Sequence, residues 1–199
     1  MKIVAVVAVT VLLAGCTAAP SSAPRPTTSP APSATPVAVG PVEPTGEPLT
    51  VTAGLAVPWS ILRLESGSTL ISERNNGVIK ELEADGSVRE VATIPGVVNV
   101  GESGLLGLEF VSIRGVDYLY VYYSTAADNR IVRYELLGDP GSYRLGASRG
   151  ILSGLVMEAH HDGGRIKLGP DGMLYATVGD AGNLELSQDL ASYNGKILR

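Results

Sequence analysis

Cysteine is almost missing from this 199-residue chain: Cys16 is the single copy, so no internal disulfide can form. Histidine occurs twice, as His160 and His161, which confines imidazole chemistry to two adjacent positions. Charged residues make up only 18% of the chain, against roughly 25% in ordinary globular domains. An apolar leader and an uncharged linker account for that deficit. No run of Lys or Arg occurs, and the net charge is −5, so the footprint of a nucleic-acid partner is missing. No segment carries a 3.6-residue apolar period over three turns, which argues against a helical domain. Phe and Trp occur once each, whereas Tyr occurs eight times and Gly 24 times. That balance suits pleated surfaces joined by many turns.

The single Cys is explained by its position. Met1 and Lys2 give a positive start, and residues 3–13 are apolar except for Thr10. This is the pattern of a secretory signal, too short to span a bilayer as a helix, which takes about 20 residues. It closes on Leu13-Ala14-Gly15-Cys16, which resembles a bacterial lipoprotein lipobox. The expectation is a signal peptide over residues 1–15, a lipid on Cys16, and an extracytoplasmic protein anchored to the bacterial cell membrane. Residues 17–48 then hold nine of the 13 prolines, and Pro, Ser, Thr and Ala fill 24 of the 32 positions. Such a segment has too little apolar surface to offset its ordering entropy. Residues 16–48 therefore read as a lipidated Cys followed by a disordered stalk.

From residue 49 the pattern changes to strands. Asn76-Gly77 sits between apolar runs at 70–73 and 78–82, a hairpin signal. Asp85-Gly86 makes the next turn, before 88–94. Further strands are expected at 118–123, 131–136, 165–168 and 173–178, the last two joined by Gly169-Pro170-Asp171-Gly172. A weak repeat starts near Trp59, Gly107 and Gly164: a strand, a Gly-containing turn and a second strand each time. Its spacing of roughly 50 residues is that of propeller blades. The fold class is read as all-β, a partial β-propeller with about three blades; a β-sandwich is the competing fold. Gly195-Lys196-Ile197-Leu198-Arg199 has the pattern of mid-strand, so the chain is expected to be a fragment of a longer protein.

Four segments carry a resemblance to a known family. They are Val57-Pro58-Trp59-Ser60 leading to 70–74, Gly101-Glu102-Ser103-Gly104-Leu105-Leu106-Gly107-Leu108, His161-Asp162-Gly163-Gly164-Arg165 continuing through 169–175 to Gly179-Asp180, and Gln188-Asp189 with 195–199. In that order and spacing they resemble the glucose/sorbosone dehydrogenase family of six-bladed propellers, over essentially all of 49–199. The resemblance implies oxidation of an aldose at its anomeric carbon. Pyrroloquinoline quinone (PQQ) accepts the hydride, calcium polarises the quinone, and an external acceptor takes the electrons. The catalytic base maps onto His161. An imidazole suits the task because its pKa, ordinarily about 6.5, lets it take a proton at neutral pH. Glu102 and His160 map onto positions that contact the sugar. Arg165 is expected to brace the structure, and Gly163-Gly164 to leave room for a flat ligand.

Some features depart from the family. Some members carry an acid where His160 stands. The Arg-Asn segment, the calcium ligands and the basic residues that hold the cofactor's carboxylates fall beyond Arg199, so no cofactor-binding or metal residue is assigned. The 199-residue chain alone is therefore expected to be inactive. Two other constellations invite a metal reading: the alternation Glu158, His160, Asp162, and the loop Asp180-Ala181-Gly182-Asn183, which lacks the alternating carboxylates of an EF-hand. The competing functions are a non-catalytic propeller lipoprotein that binds carbohydrate or protein, and an inactive truncated product.

Overall fold

The computed structural model describes residues 43–199. Cys16, the leader and most of the stalk lie outside the described residues. Strands β1 (Pro58–Arg63), β2 (Thr69–Glu73), β3 (Val78–Leu82) and β4 (Val88–Thr93) form a first antiparallel sheet in the order β1-β2-β3-β4. β5 (Leu105–Ile113), β6 (Val116–Ser124), β7 (Asn129–Leu137) and β8 (Arg144–Leu155) form a second, in the order β5-β6-β7-β8. β9 (Gly163–Leu168), β10 (Leu174–Val178) and β11 (Lys196–Leu198) form a third, in the order β11-β10-β9. A single turn and a half of helix, α1 (Leu184–Gln188), capped by the Asn183 side chain, stands between β10 and β11.

Each sheet is built from strands consecutive in sequence, because tight turns return the chain at once. The β2–β3 turn uses the Asn76-Gly77 signal: Gly77 takes φ +72 and donates to the Glu73 carbonyl, while the Asn76 side chain accepts from Val78 N. That conformation is open to Gly at no steric cost.

The second sheet is apolar on both faces, which is what a middle blade requires. Along β6, Leu119, Val121 and Tyr123 pack toward the first sheet, with Leu62, Leu70, Ile79 and Leu105. The alternate Tyr122 packs toward the third, with Leu106, Ile166, Ala176 and Val178. Period-two alternation of one strand thus feeds two cores. A register shift between Leu105 and Leu108 lets both face the first core while Leu106 faces the other. Such a bulge adds one residue to β5 and interrupts the ladder only locally. Burying each such aliphatic side chain contributes about 1.5–3 kcal/mol.

Polar clamps supplement the cores. Buried Glu81 of β3 accepts from Ser68 Oγ and Gly141 N at 2.8 Å each and pairs with Arg89, joining the first sheet to the β7–β8 turn. Buried Glu109 of β5 accepts from Leu168 N at 3.0 Å and meets Lys167 Nζ at 2.9 Å, joining the second sheet to the third. The all-β, three-blade expectation holds, although β8 and the short helix α1 are not among the expected elements. The 12-residue β8 went unrecognised because three glycines and a largely exposed surface leave it no clear alternation.

Candidate active site

The first strands of the three sheets, β1, β5 and β9, lie side by side. The loops that enter β5 and β9, and the loop that leaves β10, therefore meet at one rim. They carry Glu102, His160 with His161, and Asp180 respectively.

His161 sits just before β9 with φ +61, a left-handed conformation uncommon outside glycine. Three contacts hold it. Its N–H donates to Glu102 Oε2 at 2.7 Å, its carbonyl accepts from Ala181 N at 3.3 Å, and its Nδ1 lies 2.8 Å from Asp180 Oδ1. Asp180 is itself oriented, because Oδ1 also accepts from Gly182 N at 3.0 Å. Two close backbone approaches fix the loops. A Cβ at Gly179 would stand 1.5 Å from the His161 carbonyl oxygen, and one at Gly101 2.1 Å from the Ala159 carbonyl oxygen. Glu102 N adds a bond to that Ala159 carbonyl at 2.9 Å.

The electrostatics follow. The hydrogen bond and the charge of Asp180, and to a lesser degree the Glu102 charge, raise the His161 imidazole above its usual value. The same bond holds the Asp180 carboxyl below the usual carboxylate range. The His161 ring is 58% exposed. Asp180 takes the Nδ1 side, which assigns the proton to Nδ1 and leaves the Nε2 lone pair as acceptor. An exposed imidazole oriented by a carboxylate can take a proton from a hydroxyl.

The structure thus brings His161 and Glu102 together, although Glu102 spends one carboxylate oxygen on the His161 backbone and keeps Oε1 free for another donor. His160 is exposed beside them. The sequence alone gives Asp180 no role beyond a weak calcium-loop pattern. The signal available was the Gly179-Asp180 pair within the third family segment; what it lacked was the fold that returns residue 180 beside residue 161.

Other expectations are corrected. Glu158, His160 and Asp162 do not share a strand face, because 156–162 is a loop in which Asp162 is buried and the other two are exposed. No three-residue metal cluster of His, Cys, Asp or Glu occurs among the described residues. Gly163 and Gly164 do not clear space for a ligand. A Cβ on Gly163 would meet the Thr177 carbonyl oxygen at 2.6 Å, and one on Gly164 the Leu106 side chain at 2.6 Å, so they serve close strand packing. Arg165 braces, as expected: its guanidinium donates to Ser60 Oγ at 3.1 Å and stacks over Trp59 at 4.3 Å, tying β9 to β1.

A 410 Å³ apolar cleft lined by Ile131, Leu152, Leu174 and Leu198 lies between the second and third sheets and does not contain His161.

The fold has counterparts among known proteins. The PQQ-bound aldose sugar dehydrogenase of Streptomyces coelicolor superposes with a TM-score of 0.70 at 41% identity, covering 76% of this chain and 46% of that one. Quinoprotein glucose dehydrogenase B of Acinetobacter calcoaceticus is 26% identical over 180 residues, 75% of this chain and 38% of its own. The human Hedgehog-interacting protein is 27% identical over 173 residues, 25% of its length. The chain therefore spans less than half the length of each of these relatives. The sequence profile described as Glucose / Sorbosone dehydrogenase matches residues 55–199, and the chain belongs to that family.

Proposed function

We propose that the complete protein oxidises an aldose at its anomeric carbon, with His161 as the base. The observation that carries this reading is the Asp180–His161 pair at 2.8 Å on an exposed rim, beside the Glu102 carboxylate.

The reading supplies each group with a task. Asp180 holds the proton on Nδ1, so Nε2 of His161 accepts the proton of the C1 hydroxyl. The imidazolium that forms stands against two carboxylates, Asp180 and Glu102, which stabilise its charge. The free oxygen of Glu102 accepts a hydrogen bond from a neighbouring sugar hydroxyl. His160 lines the same rim and supplies a further contact to sugar. Loss of the C1 hydrogen as hydride, with the hydroxyl proton going to His161, leaves a lactone.

The donor set fits the proton-taking side of a quinone oxidation, with an exposed imidazole and an oriented carboxylate. When bound, PQQ, with calcium, supplies the hydride acceptor. The cations that would hold its carboxylates are not part of this cluster, whose side chains are acidic apart from the two histidines. Electrons then pass to an external acceptor.

The test is dye reduction by the complete protein with PQQ, calcium and an aldose. Loss of turnover in His161→Ala, with sugar binding retained, supports the reading. Turnover that survives His161→Ala removes the base. Full retention of a protein partner with no turnover in the native protein favours the binding-module reading, the role for which the Hedgehog-interacting protein is named.

We further infer that Cys16 is acylated and that the 17–48 stalk carries the domain outside the cell membrane. The support is the Leu13-Ala14-Gly15-Cys16 sequence. Cys16→Ser should move the protein from the detergent phase to the aqueous phase of a detergent partition. An aqueous protein before the substitution contradicts the anchor.

A further inference from the structure

A buried carboxylate with no part in the proton transfer stands next to the proposed base. The loop of residues 156–162 carries His161, yet Asp162 is its one buried side chain. The residue is 2% exposed. Its Oδ1 accepts from Asn129 Nδ2 at 2.8 Å and from Glu158 N at 3.2 Å. Its carbonyl accepts from the buried Tyr122 hydroxyl at 3.1 Å. Oδ2 is buried without a partner among the described residues.

The contacts continue away from Asp162. Asn129 Oδ1 accepts from Ser124 Oγ at 2.5 Å, and Ser124 Oγ accepts from Gly104 N at 3.2 Å. Gly104 belongs to the loop that carries Glu102, and Glu102 Oε2 accepts from His161 N. The path therefore closes on itself: Glu102 loop, Ser124, Asn129, Asp162, His161 and back to Glu102. Asn129 Nδ2 and Asn194 Nδ2 also bind the Val156 carbonyl, at 3.3 and 3.1 Å, and pin the start of the His161 loop.

We propose that Asp162 is a positioning residue, the buried anchor through which the Ser124–Asn129–Asp162 hydrogen-bond chain locks the His161 loop to the Glu102 loop. The proposal rests on the reading of His161 as the base. Its physical ground is that a left-handed backbone at a histidine persists only where surrounding contacts over-determine it. No apolar side chain within 156–162 is fully buried. Neighbouring carboxylates of Glu102 and Glu158 face Asp162, and burial is the largest effect pushing its carboxyl above the usual range. Both hydrogen bonds to its side chain fall on Oδ1 as acceptor, a place the amide oxygen of Asn can fill. A buried network of this kind fixes one conformation only when its bonds are made.

The test uses the 199-residue chain labelled with 15N, and two readouts that need no turnover. One is the titration midpoint of His161, assigned by comparison with His160→Gln. The other is amide hydrogen exchange at Glu102 and His161. Asp162→Asn keeps an acceptor oxygen and should leave both readouts as in the native chain. Asp162→Leu should drop the His161 midpoint toward its ordinary value of about 6.5. It should also speed exchange at Glu102 and His161 by roughly tenfold or more while β5–β7 amides stay protected. An Asp162→Leu chain that has lost its β-sheet signal is replaced by Asn129→Ala, for which the same local changes are expected. Unchanged exchange and midpoint in a folded variant overturn the proposal. So does exchange that rises evenly through β5–β7, or an Asp162→Asn chain that behaves like Asp162→Leu. Failure of His161 as the base would appear in dye reduction alone and leave these readouts untouched.

Discussion

Gly179→Ala places a methyl group where the structure has no room, in contact with the backbone of His161. The residue is outside the left-handed region, so alanine meets no conformational objection there. The added Cβ would stand 1.5 Å from the His161 carbonyl oxygen and 2.3 Å from its carbonyl carbon. Non-bonded heavy atoms come to rest near 3.5 Å, so the two strands of chain must part by roughly 2 Å. That movement takes the imidazole from Asp180 Oδ1, now at 2.8 Å, and the His161 N–H from Glu102. A misplacement of 1 Å at a reacting group can cost about 10²-fold. Dye reduction by the complete protein should therefore lose about two orders of magnitude in kcat/KM. Overpacking should lower stability by about 1–3 kcal/mol, leaving the sheets folded. Gly182→Ala is the control: φ is +72, but the new methyl meets nothing within 4 Å, so it strains the backbone without pushing His161. A folded Gly179→Ala enzyme with kcat/KM within about threefold of the native protein refutes the reasoning.

Three further outcomes are expected. Leu119→Ala removes a fully buried side chain from the core between the first two sheets and should cost about 2–5 kcal/mol in denaturant unfolding. Arg165→Lys loses the planar stacking on Trp59 and the hydrogen bond to Ser60 and should lower stability by about 1 kcal/mol in the same assay, because lysine lacks the planar guanidinium. Asp180→Asn removes an ion pair whose two members titrate in opposite senses. The lowered Asp180 value contributes stability above about 3.9 that is lost on acidification, and the raised His161 value contributes stability below about 6.5 that is lost as pH rises through it. The thermal destabilisation by Asp180→Asn should thus be larger near about pH 5 than near pH 9, and equal losses at both contradict the pairing.

Most strands were legible because their turns announce themselves. Asn76-Gly77 and Asp85-Gly86 mark hairpins by chemistry local to a few residues, and the observed strands Val78–Leu82 and Val88–Thr93 follow them directly. β8 was not legible, since its place is set by pairing with β7 and its own residues are largely exposed. His161 was legible as the candidate base from its segment. Its partner was not, because Asp180 reaches it only through the β9–β10 hairpin that brings 179–182 back beside 161. Glu102 was read as a sugar contact from its segment, but its bond to the His161 N–H crosses 59 residues, beyond any local pattern. The same limit applies to the paired glycines. Sequence suggests space for a ligand, whereas tertiary contact with Leu106 and Thr177 gives them their purpose.

In the proposed reaction one imidazole, His161, takes the substrate's proton. The decisive measurement compares the His161 midpoint, read by 15N NMR on this chain, with the acid limb of kcat/KM in the complete protein. The two should agree, both should lie above about 6.5, and both should fall in Asp180→Asn. An acid limb that ignores Asp180→Asn, while the NMR midpoint moves, contradicts that role for His161.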